Sequence, residues 1–132
     1  MVRVNGGEAG RWKFGYSERP AAADTYLAGD ILQNDAGNSR LYKVAGAGIG
    51  VAFVPYEQVV ANNGDMLVVM KAGTSCFCKF KATCEVGILV EPSDGVAGEA
   101  MAYAAASPEN VCGVTMENVT DTDNYFEVMV LR

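Results

Sequence analysis

The chain contains no histidine among its 132 residues. That removes the commonest general base, the commonest proton shuttle and a leading metal ligand together. No Ser-x-x-Lys, Gly-x-Ser-x-Gly or Gly-Lys-Ser/Thr element occurs, so the sequence offers neither an activated serine nor a phosphate-cradling loop. The carboxylates are scattered through turn-rich segments, where their usual role is a solvated surface. Together these absences point away from an enzyme and away from a bound cofactor.

Long apolar runs are missing as well. No stretch approaches the ~18 uninterrupted residues of a membrane-spanning helix, so no membrane partner is expected. The opening MVRVNGGEAG lacks an apolar h-region, and a product made in a cytoplasm without a secretory leader is expected. The Asn118-Val119-Thr120 sequon then has no glycosylation route. Basic residues are the minority, ten against sixteen acidic ones, for a net charge of −6. An acidic surface repels phosphate backbones, so no nucleic-acid partner is expected. The deficit is uneven: residues 1–19 hold four basic residues against two acidic ones, net +2, and the other 113 hold six against fourteen, net −8.

What is present is short hydrophobic text broken by turns, with 15 glycines and only 4 prolines. GDILQNDAGNSRLYKV reads as strand, Asn/Asp/Gly turn and strand. GVAFVPY and DMLVVM are strand-like runs separated by ANNG, and EVGILVEPSDG is a strand ending in the Pro92-Ser93-Asp94-Gly95 turn. YFEVMVLR closes the chain with Phe126, Val128 and Val130 alternating against Glu127 and Met129. GEAMAYAAASPEN contains good helix formers, but it lies between strand signals and is interrupted by Pro108, so it reads as strand and loop. An all-β domain follows. Length suits one domain, and the strand-and-turn text divides it into a body, 27–132, and an N-terminal arm with an aromatic strand, 1–26.

An internal duplication is readable within the body. Gly29-Asp30-Ile31-Leu32 leads through NDAG to Gly50-Val51-Ala52-Phe53 and then to GDMLVVM. Gly87-Ile88-Leu89-Val90 leads through PSDG to Gly113-Val114-Thr115-Met116 and then to FEVMVL. Two pseudo-repeated β-units, 27–70 and 85–132, are expected from this alignment.

SCFCKFKATC, residues 75–84, concentrates three of the four cysteines. As a strand it would send Cys76, Cys78, Phe80, Ala82 and Cys84 to one face and Phe77, Lys79, Lys81 and Thr83 to the other. The first face is small or apolar throughout, which suits reduced cysteines in a core. Zinc sites space paired cysteines by two to four residues on a turn, and same-face neighbours on one strand make a strained disulfide. No metal is expected. VAGAGIGVAF is glycine-rich, but the third glycine of a dinucleotide loop would fall on Val51 and no helix follows, so it reads as a loop entering a strand.

RWKFGY, residues 11–16, alternates, with Trp12, Phe14 and Tyr16 on one face and Arg11, Lys13 and Gly15 on the other. Two readings stand. The aromatics are interface anchors on an extended arm, with Arg3, Arg11, Lys13 and Arg19 facing an acidic partner, or they cap the domain's own core. Gly6, Gly7 and Gly10 favour the arm.

The stretches AGDILQNDAG, IGVAFV, NGDMLVVMKAG, VGILVEPSDG, VCGVTMEN and FEVMVL resemble the capsid cement, or head-decoration, proteins of tailed bacteriophages. The likeness covers about three quarters of the chain and is carried by turns and strands. It implies a small antiparallel β-barrel or β-sandwich, tulip-like in one form, on the capsid exterior of a virion. It further implies a homo-oligomer, trimer before dimer, that cements neighbouring subunits of the major capsid protein. Two other functions stand beside it: a recognition module for a host glycan, with Tyr103 and Tyr125 as exposed aromatics, and, less favoured, an enzyme using carboxylates or a cysteine nucleophile.

Overall fold

The computed structural model describes residues 16–35, 37–44, 48–54, 59–70, 72–105 and 107–131. Among these the chain is nearly all strand, with one short 3-10 turn at Pro108–Asn110 and no α-helix. The first seven strands are β1 (Tyr16–Pro20), β2 (Asp24–Tyr26), β3 (Ile31–Asn34), β4 (Leu41–Lys43), β5 (Ala52–Phe53), β6 (Val59–Ala61) and β7 (Met66–Met70). The remaining five are β8 (Ser75–Cys78), β9 (Leu89–Pro92), β10 (Ala100–Ala102), β11 (Gly113–Thr115) and β12 (Phe126–Val130). Period-two burial explains the longest of them. In β12, Phe126, Val128 and Val130 are buried and Glu127 and Met129 are not, while β7 buries Leu67 and Val69 and exposes Met66 and Val68.

The strands form two five-stranded antiparallel sheets, in the orders β4-β3-β5-β7-β1 and β10-β9-β11-β12-β8, plus a β2-β6 pair. The two orders are the same topology written twice, and the registers coincide. Leu32 lies opposite Lys43 and Ala52, and Val90 opposite Ala102 and Gly113. Phe53 lies opposite Ile31 and Met70, and Val114 opposite Leu89 and Met129. Met70 then faces Tyr16 as Met129 faces Ser75. Each sheet curls until the chain beyond its outer strand touches the opposite edge at one parallel bridge, Ala21 to Leu41 and Phe80 to Ala100. A single bridge is not a ladder, so neither sheet closes into a barrel and the architecture is sandwich-like.

The repeat in the ladders differs in extent from the one readable in the text. Each unit includes a strand that the alignment left out, β1 in the first and β8 in the second. Gly113 occupies the place of Ala52, not that of Gly50. The aromatic and cysteine-rich segments thus enter equivalent positions, although their residues share no pattern.

Two cores result. One joins Leu32, Leu41, Ala52, Val54, Leu67 and Val69 from the inner face of the first sheet with Tyr26 and Ala61 from the β2-β6 pair. The other joins Cys76, Cys78, Val90, Val128 and Val130 from the second sheet with Ile31, Val44 and Phe53. Ile31 and Phe53 therefore sit on the back of the first sheet and plug the second. Gly29 is required at this junction. Its φ is +84°, and a Cβ there would stand 2.9 Å from Cys78 Cα and closer still to the Phe77 carbonyl.

The cysteine strand ends earlier than its alternation suggested. Cys76, Cys78 and Phe80 are buried as expected, but the chain bends after Phe80, leaving Ala82 exposed and Cys84 only half-buried. The cause is Phe80 itself. It leaves the β12 ladder to bridge Ala100, and Cys84 makes a separate bridge to Val119.

Candidate functional site

Of the residues expected to bind a partner, Arg3, Arg11, Trp12, Lys13 and Phe14 lie outside the described residues. Tyr16 and Arg19 lie in β1, an edge strand zipped to β7 over five residue pairs. They occupy opposite faces. Tyr16 is opposite Met70, on the face that also carries Met66, 58% exposed, and the partly exposed Val68. Arg19 is opposite Leu67 on the inner face, and its guanidinium donates to Asn34 Oδ1. The structure thus joins Tyr16 to an exposed apolar strip and assigns Arg19 an intramolecular partner.

A broader apolar surface covers the back of the second sheet. The row formed in the first unit by the buried Ile31 and Phe53 and the partly buried Met70 corresponds here to Leu89, Val114 and Met129. Leu89 is 43% exposed, and Phe77 and Met116 in the adjoining row are also exposed, Phe77 at 53%. No motif in the text pointed to this face. Its signal would have been the apolar residues at the polar phase of β8, β9 and β11, read against the duplication.

A polar cleft of about 640 Å³ opens where the loops preceding β5 and β11 meet. The meeting is close: a Cβ on Gly50 would stand 3.3 Å from Cys112 Sγ. Gln33 and Asn34 line the cleft from the end of β3, and Ser107, Glu109 and Asn110 from the 3-10 turn. The chain reaches that turn through Ala105, whose φ of +63° is strained for a residue with a Cβ. Just before it, the Ala104 N–H donates to the buried Glu91 carboxylate at 2.7 Å, which anchors the segment.

A smaller hollow lies beside Asp30. Its carboxylate accepts from Leu27 N–H at 2.8 Å, and the Lys43 ammonium stands 3.7 Å away. Burial raises the Asp30 pKa against these two stabilising partners, and the neighbouring Asp24 raises it further. Gly98, with φ of +90°, passes so close that a Cβ would come within 2.7 Å of Asp30 Oδ1. Tyr125 lines this hollow, whereas Tyr103 is half-buried at the edge of β9, so the two aromatics do not converge on one site.

Among the described residues no group of three or more His, Cys, Asp or Glu is arranged to hold a metal. The Cys76 thiol lies 3.2 Å from the Val54 carbonyl. Its hydrogen bond with Cys78, together with burial, holds the Cys78 thiol well above its ordinary pKa.

Among the described residues the chain is an all-β protein of two like sheets, with exposed apolar strips and a cleft where the loops before β5 and β11 meet. Among solved structures it is similar to the N base of head fiber gp8.5 in bacteriophage phi29, with a TM-score of 0.61. Identity is 17%, and the match covers 87% of this chain and 93% of that one, so the likeness is one of fold. No protein-family model and no curated protein matches the chain.

Proposed function

We propose that the protein is a structural component of a phage head, attached to the outer surface of the capsid. The observation that carries this reading is the fold likeness to a head fiber base over nearly the whole of both chains. The finer reading is that of a cement. The basic N-terminal segment, with Trp12, Phe14 and Tyr16, grips major capsid protein, and Arg3, Arg11 and Lys13 meet acidic partner surface. The open back of the second sheet contacts a neighbouring capsid subunit or a sister protomer. A closed homo-oligomer, trimer before dimer, would match capsid symmetry. The polar cleft favours a second role on the same particle, recognition of a saccharide at the host surface.

The test of attachment is occupancy of purified parent capsids by the wild-type chain and by Trp12→Ala, imaged by cryo-electron microscopy. A buried interface tryptophan costs about 2 kcal/mol or more on truncation. Occupancy should therefore fall steeply while the thermal transition of the free protein is kept. Loss of that transition would place Trp12 in the core. Full occupancy with an intact fold would remove it from the interface.

A further inference from the structure

The cleft between the repeats contains a polar group that the fold does not satisfy. Asn110 is only 6% exposed, and its backbone N–H donates to the Ser107 carbonyl at 3.0 Å. Its side-chain amide has no hydrogen-bond partner among the described residues, and Asn110 is one of the residues that line the cleft. A buried amide left unpaired lowers stability, so its hydrogen bonds are taken up from outside the chain, by water or by a ligand that displaces it.

The chemistry of that partner follows from what the other lining groups leave free. Gln33 Nε2 donates to the Tyr42 hydroxyl. Asn34 Oδ1 accepts from Arg19, which leaves the Asn34 NH₂ as a donor. The Ser107 hydroxyl donates to one Glu109 oxygen, which leaves the other as an acceptor. Asn110 adds a donor and an acceptor on one planar group. The cleft thus offers both donors and acceptors, and no lysine or arginine is among its described lining residues. Hydroxyl groups, each donor and acceptor at once, match this set, while the Glu109 carboxylate disfavours anions. Gly48, Ile49 and Val51 complete the lining with apolar surface suited to the C–H face of a pyranose. The volume falls within the ~300–1,000 Å³ of ordinary ligand sites, and junctions between structural units are where such sites collect.

We propose that this cleft binds a neutral saccharide and that the Asn110 amide is its principal recognition group. The assignment gives a site to the recognition role and stands apart from capsid attachment, so either can fail without the other.

The test is a titration of the ¹⁵N-labelled chain with neutral trisaccharides of glucose, galactose, mannose and N-acetylglucosamine, followed by the Asn34 and Asn110 side-chain amide resonances. At least one sugar should shift both amides saturably. Asn110→Leu should weaken that sugar roughly tenfold or more, the worth of one good hydrogen bond. It should also leave Tm unchanged or raise it, because the side chains are close in size and the orphan amide is gone. Glu109→Lys, on the exposed turn, should weaken binding without moving the melt. Four results would each overturn the proposal. These are no saturable shift with any of the sugars, affinity unaltered in Asn110→Leu, a clear drop in Tm for Asn110→Leu, and a triglycine peptide that shifts the two amides more than any sugar.

Discussion

Asp30 shows what a single residue carries in this fold. The Gly-Asp step before β3 stands out in the text, yet its reason lies in contacts that no local pattern reveals: Gly29 against Phe77 and Cys78, and Gly98 against Asp30. A carboxyl whose folded pKa is raised holds its proton more tightly folded than unfolded. Its contribution therefore makes stability rise as pH falls from the raised value toward the ordinary one. Asp94 and Asp121 are shifted the other way, by hydrogen bonds from Lys81 and Asn124 respectively, and lose stabilisation in acid. The protein's acid profile mixes both signs, and only a difference between variants isolates Asp30. Asp30→Asn keeps an acceptor for the Leu27 N–H and removes the titration. Denaturant unfolding of both proteins from pH 7 to pH 3 should show wild type gaining on the variant as the acid window is entered. A constant gap between the two would mean that Asp30 does not titrate with a raised pKa.

At the scale of elements, β7 and β12 were legible because one face of each is buried and the period of two survives in the text. β3 and β9 bury neighbouring residues and were legible instead as short apolar runs bounded by turns. The cysteine-rich segment was legible only as far as Phe80, since a bend set by a bridge to Ala100 leaves no mark on periodicity. The back of the second sheet was hidden for the opposite reason: Phe77, Leu89, Val114 and Met116 point outward and are apolar, so alternation fades in β8, β9 and β11. Phe77 tests that face. It lies opposite Glu127 in the β8-β12 ladder, so Phe77→Lys places a cation across from a carboxylate and should change stability by no more than about 0.5 kcal/mol. Capsid occupancy or self-association should nonetheless drop, because a charge would be carried into an apolar contact. Sedimentation and particle imaging, beside a melt, check both halves of this expectation. Unaltered association in a folded variant would exclude the face.

Among the described residues the two five-stranded sheets repeat one topology, and the second core draws on both. The duplication could be read from paired turn and strand text, but its true extent could not. The first strands of the two units, Tyr16–Pro20 and Ser75–Cys78, have diverged into unrelated residue types that only the ladders equate. The cleft was illegible for a related reason, since Asn34 and Asn110 are 76 positions apart and meet only where the units join. The junction should also govern cooperativity. Phe53 belongs by backbone to the first sheet and by side chain to the core of the second, where it is fully buried beside Ile31 and Val44. Phe53→Ala leaves a cavity between the units and should cost about 3–5 kcal/mol. Because one core is shared, that cost should appear as a lower midpoint of a single transition, with amide exchange accelerated in β3 and β12 alike. Two separated transitions, or exchange accelerated only in strands of the first unit, would mean that the units fold independently and that Phe53 is a local plug, not the tie between them.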